Sequence, residues 1–379
     1  MSHSKRLRVG VIGCGGIAQM MHLPFLFSMA DTFEIAALCD LSPGVLKVMG
    51  DRYQVPAKAL FTHYEDLVAQ ELNAVLVLTG GDHYPQVIAS IQAGKHVFVE
   101  KPLCYTLKEA DVLIEAAAQA NMIVQVGYMK RYDPGYLYAQ QCARKMNDIR
   151  YVQINTLHPS EDDYLAIHNL VHFNDIPSQT IQTLRQADDQ RIVEAVGNVS
   201  PSLKAMYSDV FLGSMVHDTN AMRGLLGEPE KVLFSDLWPA DQHNSTVTTV
   251  IQYPGETRVV LTWTYLNDLR NYFEEIALMS PANRLRIQFP SPYLRHFPTP
   301  VVFEGMEDGA AVEKRVTASY DEAFRRELVA FSDNVLKNLQ PLTSAADARC
   351  DIQLLQQIFA ALHPESLGGE AALHLKIGA

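Results

Sequence analysis

The chain has 379 residues, 48% hydrophobic and 20% charged. At roughly 150 residues per domain that is two or three globular domains, and it excludes a largely disordered chain. With 31 Lys+Arg against 43 Asp+Glu the net charge is −12, a poor balance for nucleic acid or an anionic membrane as the main partner. The cysteines, Cys14, Cys39, Cys104, Cys142 and Cys350, are odd in number and include no CxxC pair. This argues against a disulfide scaffold or a cysteine zinc site and favours a reducing compartment.

The basic N-terminal stretch leads into an apolar run of only residues 9–12, too short for a signal-peptide core. No run of about 18 apolar residues follows, so a cytoplasmic protein is expected. Residues 8–13 (RVGVIG) read as a buried strand, followed by a helix over about 16–29. Further strands are predicted at 34–40, 73–79, 96–100 and 122–127, with helices at 43–53, 83–93 and 107–121. Strands alternating with helices imply parallel pairing, and their near-continuous apolar character fits a sheet covered on both faces.

The pattern changes after about residue 130. A helix at 133–145 and a strand at 149–157 precede two strands within 246–266 around a Pro-Gly-Glu turn. Residues 274–280 and 283–289 continue with strand-like alternation, which points to an antiparallel sheet with one wetter face. Residues 321–339 and 345–362 read as helices. The domains are expected at 1–128, dinucleotide-binding, and 129–379, for substrate and oligomerisation. Residues 160–210, polar and helix-leaning, look like an elaboration of the second domain.

Gly13, Gly15 and Ala18 form a G-x-G-x-x-A motif between a predicted strand and helix. Gly13 permits the tight turn, Gly15 close approach to a pyrophosphate, and Ala18 close packing of helix on strand. The N–H groups that follow, from Gly16 and Ile17 onward, face the phosphates at the favourable end of the helix dipole. Asp40 ends the second strand, 22 residues after Ala18, where its carboxylate can accept from ribose hydroxyls and repel a 2′-phosphate. NAD is therefore favoured, with NADP left open.

The run AGKHVFVEKPL (93–103) resembles the most recognisable stretch of the Gfo/Idh/MocA family, the glucose-fructose oxidoreductase and inositol dehydrogenase group. RVGVIGCGGIA, VGYMKRYDPGY (126–136), VHDTNAMRGLLGEP (216–229), FRRELVAFSDNV and ADARCDIQLL match in the expected order. The resemblance covers most of the chain except about 160–210. It implies a Rossmann domain followed by a domain with a large, mainly antiparallel open sheet, often buried in homodimers or homotetramers. It also implies hydride transfer between NAD(P) and a secondary hydroxyl of a sugar, sugar derivative or cyclitol.

On that resemblance, Lys101 orients the hydroxyl and stabilises the alkoxide, with Glu100 holding it, and His217 is the acid/base. Thr79 and His83 are implied beside the cofactor. Tyr128 and Arg131, which join the domains, and His158 and Tyr272 are candidate substrate contacts. The family's usual Asp four residues before the histidine is here Gly213. Asp209 is too far away on a continuous helix to replace it. Asp162 or Asp163 could fill the gap, the site could work without it, or the protein could act differently. Two rivals stay open: a glycoside-cleaving enzyme that recycles tightly bound NAD, and a non-catalytic dinucleotide-binding sensor. His168 and His172 stand at i, i+4, a zinc-compatible spacing on a helix, but with no third ligand in view no metal is expected.

Overall fold

A computed structural model describes residues 6–239, 245–362 and 364–375. Among the described residues fourteen strands form two sheets. The first sheet contains β1 (Leu7–Ile12), β2 (Phe33–Cys39), β3 (Leu60–Phe61), β4 (Ala74–Val77), β5 (His96–Glu100) and β6 (Val124–Gly127). Its order is β3-β2-β1-β4-β5-β6, with every pair parallel. This is the doubly wound arrangement whose strand order reverses beside β1, where ligands of such sheets bind at the carboxyl ends. The side chains of Val9, Val11, Val75, Leu76, Val97 and Phe98 are fully buried, as crossover helices on both faces require.

Local chemistry sets the helix boundaries. Ser42 caps Pro43–Tyr53, its hydroxyl accepting from Val45 N, and Gln54 ends that helix at φ 60°. Thr106 and Glu109 form a capping box at the start of Leu107–Ala120. The helix after β1 contains a π-helical turn, Ala18–His22, before Leu23–Ser28.

The second sheet contains β7 (Tyr151–His158), β8 (Lys231–Trp238), β9 (Thr246–Gln252), β10 (Arg258–Tyr265), β11 (Phe273–Met279), β12 (Arg284–Phe289), β13 (Pro300–Glu307) and β14 (Ala310–Thr317). Their order is β14-β13-β12-β11-β7-β10-β9-β8. Among the described residues only the β7/β10 pair of this sheet is parallel. Burial alternates along β7 and β10, as expected for a sheet covered on one face. Strands β8, β13 and β14 were not legible as strands in the sequence.

The chain divides into two units that are not two consecutive stretches. Ala166–Arg191 and Phe324–Cys350 join the residues up to Tyr128 in the first unit. Met129–Leu165, Ile192–Ala323 and the residues from Asp351 form the second. The expected boundary after residue 128 is one of several crossings, and the expected 160–210 elaboration is split. The reason is specific bonding: Gln19 holds Val171, Gly44 N donates to Asp175, and Arg191 faces Asp82 and Glu109. The helix Ala323–Lys337 supplies Phe331, whose ring meets Phe98 edge-on at 5.8 Å. Among the described residues no helix is long and apolar enough to cross a membrane.

Candidate active site

In the first unit the chain leaves β1 at Gly13, φ 92°, where a Cβ would lie 2.7 Å from Leu78 C and Thr79 N. Only glycine allows that approach and that backbone. Gly15 is different: a Cβ there would meet nothing within 4 Å, so open space lies before the helix start. Gly16 and Ile17 begin the helical stretch, and Ala18 is fully buried. Across the turn, Gly80 also faces open space, and the Thr79 hydroxyl is buried with no hydrogen-bond partner among the described residues. Asp40 accepts from Cys14 N at 2.7 Å and from Ser42 N at 2.9 Å, which fixes its carboxylate beside the glycine turn. Each oxygen retains acceptor capacity. Open space, helix N–H groups, an orphaned hydroxyl and a fixed carboxylate fit a dinucleotide.

The Lys101-Pro102 peptide is cis. His83 is buried, with Nδ1 2.6 Å from Pro102 O and Nε2 2.7 Å from Thr79 O. A neutral ring has one N–H and can donate to only one of these carbonyls. Burial pushes the His83 pKa down, against the two carbonyls. Glu100 turns inward: Oε1 lies 2.6 Å from His22 Nε2, and Oε2 accepts from Lys101 N at 3.2 Å. Burial raises the Glu100 pKa, but the His22 hydrogen bond and nearby positive charge outweigh it and leave it lowered. Glu327 completes a buried trio with His22 and Glu100. Burial, then the charge of Glu100, pushes the Glu327 carboxyl well above its ordinary range. Lys101 itself is half-buried. Tyr128, at the end of this unit, is 1% exposed.

In the second unit, His217 is half-buried at the start of the helix Val216–Leu226. The preceding Met206–Met215 is π-helical, so the distance expected for a continuous α-helix does not apply to Asp209. Asp209 is exposed and accepts from Ser208 Oγ. Asp162 and Asp163 are also exposed, facing Ser160 and Arg270. A Cβ at Gly213 would lie 3.3 Å from Ser208 O. Ser214, next to it, accepts from Trp263 Nε1 at 2.9 Å.

A buried polar cluster lies in the same unit. Tyr272 Oη donates to Glu274 Oε2 at 2.5 Å, and Lys130 Nζ donates to Glu274 Oε1. Asp218 accepts from Thr156 Oγ1 at 3.1 Å, with Lys130 Nζ 3.9 Å away. Burial, then the charge of Glu274, raises the Asp218 carboxyl far above its ordinary range, against Lys130. Tyr272 is pushed up by burial and then by Glu274. His158 stands edge-on to Tyr272 at 5.5 Å, with Nε2 3.6 Å from Glu161.

The structure thus gathers Gly13, Gly15, Gly16, Ile17, Asp40, Thr79, His83, Glu100 and Lys101 in the first unit and His158, His217 and Tyr272 in the second. Arg131 is not presented as a surface group: it is 6% exposed and donates to Asn220 O at 3.2 Å. Asn220 in turn donates to Asp351 at 2.6 Å. The His168/His172 helix face is corrected. Asn169 at φ 50° ends the turn Ala166–His168, and exposed His172 contacts Asn174. His22, Glu327, Lys130, Asp218 and Glu274 were missed. The available signal was charge within otherwise apolar helix and strand faces.

A parallel sheet of this strand order with a glycine turn at β1 has the architecture of dinucleotide-binding folds. Residues 7–128 match the Gfo/Idh/MocA family model, described as "Oxidoreductase family, NAD-binding Rossmann fold", so that stretch is similar to this family. The inositol 2-dehydrogenase/D-chiro-inositol 3-dehydrogenase of Shouchella clausii is 36% identical over 137 residues, 36% of this chain and 39% of that protein. The matched stretch therefore spans about two fifths of that relative's length. Among solved structures, the UDP-N-acetylglucosamine 3-dehydrogenase GnnA of Acidithiobacillus ferrooxidans has a TM-score of 0.71 at 18% identity, covering 95% of this chain and 98% of its own. The aldose-aldose oxidoreductase of Caulobacter crescentus has a TM-score of 0.72 at 17% identity, with 95% and 98% covered. These two share the fold.

Proposed function

We propose that this protein is an NAD(P)-dependent oxidoreductase, acting between the nicotinamide and a secondary hydroxyl of a sugar, sugar derivative or cyclitol, with NAD preferred. The observation that carries this reading is the open space at Gly15, flanked by the fixed Asp40 carboxylate and the orphaned Thr79 hydroxyl. The bound dinucleotide would supply the hydride acceptor or donor. Lys101, on a cis turn at the carboxyl end of β5, orients the hydroxyl and favours its alkoxide form. His217 takes up or returns the hydroxyl proton, a role suited to an imidazole near neutral pH. No carboxylate stands four residues before His217, so in this reading the ring works without that partner. The proposal extends to a cytoplasmic homo-oligomer built through the second sheet.

The test is a panel of sugars and cyclitols assayed with NAD and NADP. Lys101→Ala should abolish turnover on the responding substrate while dinucleotide affinity stays within a few-fold. Surviving turnover would remove the assigned chemistry. A second reading, glycoside cleavage with a retained cofactor, is favoured by the Gln19–Val171 clasp beside the glycine turn. It predicts product release from a glycoside with no net NADH.

A further inference from the structure

Residues 170–191 form a strap against the loops of the proposed dinucleotide site. Gln19, on the helix after the glycine turn, makes a two-bond clasp with Val171: Nε2 donates to Val171 O at 3.0 Å, and Oε1 accepts from Val171 N at 2.8 Å. Leu170 Cδ1 lies 3.9 Å from where a Cβ on Gly16 would stand. At the start of the helix after β2, the Phe173 ring fills the space over Gly44, where a Cβ would come within 2.6 Å. Gly44 N donates to Asp175 Oδ2 at 2.7 Å. Further on, an Asp188 oxygen lies 2.7 Å from a Cβ position on Gly81, and Arg191 Nε lies 2.9 Å from Asp82 Oδ2 while donating to Glu109. The strap thus meets the loops after β1, β2 and β4 in turn.

The contacts after β2 bear on cofactor choice. In a doubly wound fold this loop borders the adenosine ribose, and an added 2′-phosphate needs free donors or positive charge there. Here Ser42 N already donates to Asp40 at 2.9 Å and Gly44 N to Asp175 at 2.7 Å. Two carboxylates occupy the donors and add negative charge.

We propose that the strap forms part of the dinucleotide site and that Asp175 is a second specificity-determining residue, excluding the 2′-phosphate of NADP alongside Asp40. This deepens the proposed function and rests on its dinucleotide reading. Asp175 lies outside the glycine turn and is exposed, so changing it should spare the fold.

The test titrates the full chain with NADH and NADPH by calorimetry, as wild type, Asp175→Asn and Asp175→Ser. Both variants should tighten NADPH on the order of fivefold to tenfold at low salt, less at high salt, with NADH affinity within about twofold. If wild type binds neither nucleotide, the dinucleotide reading fails and this proposal falls with it. If wild type binds NADH but neither variant changes the NADPH/NADH ratio, Asp175 only caps the helix Pro43–Tyr53 and this proposal alone fails. An equal change in both affinities also overturns it, because a merely structural role would move both together.

Discussion

His22 Nε2 and Glu100 Oε1 lie 2.6 Å apart, in a pocket closed to solvent by the Phe98 and Phe324 rings at 5.3 and 5.7 Å. The π-helical turn that follows the glycine motif thereby reaches the residue before Lys101. Replacing His22 by Leu strips Glu100 of its partner and leaves a buried carboxylate. The expected loss is about 3–5 kcal/mol at neutral pH, read by urea unfolding. Glu100 has a lowered pKa, so its stabilisation is present above the ordinary carboxylate range and is lost as pH falls through the folded value. Acid should therefore narrow the gap between wild type and His22→Leu. A gap that widens in acid would contradict the assigned charge.

The two motif glycines should separate stability from binding. Gly13→Ala forces a Cβ to 2.7 Å from backbone at a positive φ, and should cost about 2–4 kcal/mol as well as dinucleotide affinity. Gly15→Ala meets nothing, so its melting temperature should stay within about a degree while dinucleotide affinity drops at least about tenfold. Thermal melts with and without NADH read both effects.

Asp82 should give stability a pH dependence. Burial, then Glu109, pushes its carboxyl up to about 7 against Arg191. The folded state therefore holds a proton that the unfolded chain releases above about pH 4, and this contribution declines as pH rises from about 4 to about 7. Asp82→Asn should flatten that decline, measured as the difference in melting temperature between about pH 5 and about pH 8. An unchanged slope would mean that Asp82 is already ionised in the folded protein.

Lys130 and Glu274 should be strongly non-additive. Their contact is buried, and the Lys130 ammonium also lies 5.2 Å from the Phe289 ring centre. Lys130→Met should destabilise by about 3–5 kcal/mol, while Lys130→Met with Glu274→Gln should recover more than half of that loss. A double-mutant cycle by denaturant unfolding checks the coupling.

The parallel sheet was legible because its strands are fully buried, and continuous Val, Ile and Leu runs announce that state; residues 96–100 match β5 to the residue. Strand β14 is largely exposed and carries Glu313, Lys314 and Arg315, so no apolar rhythm marks it. The glycine turn and Asp40 are legible because the contacts that fix them lie close together: Asp40 accepts from Cys14 N and Ser42 N. The Glu274–Lys130 and Gln19–Val171 contacts were not, since they join positions 144 and 152 apart and either partner alone resembles a solvated side chain. The strap follows the same rule: its polar composition records exposure, while its few specific contacts join it to the first unit.

Strand β6 is finished from far along the chain: Val126 N donates to Thr343 O at 2.8 Å, and Thr343 Oγ1 donates back to Val126 O at 2.7 Å. A ribosome that has released residue 128 has therefore not released the parts needed to close the first sheet. At roughly 5–20 residues per second, the nascent cofactor-binding half waits on the order of 10–40 s for the segment ending at Cys350. Its closure waits for residues up to Cys350, and a fragment cut after residue 128 would leave Phe98 and His22 uncovered, prone to chaperone capture or aggregation.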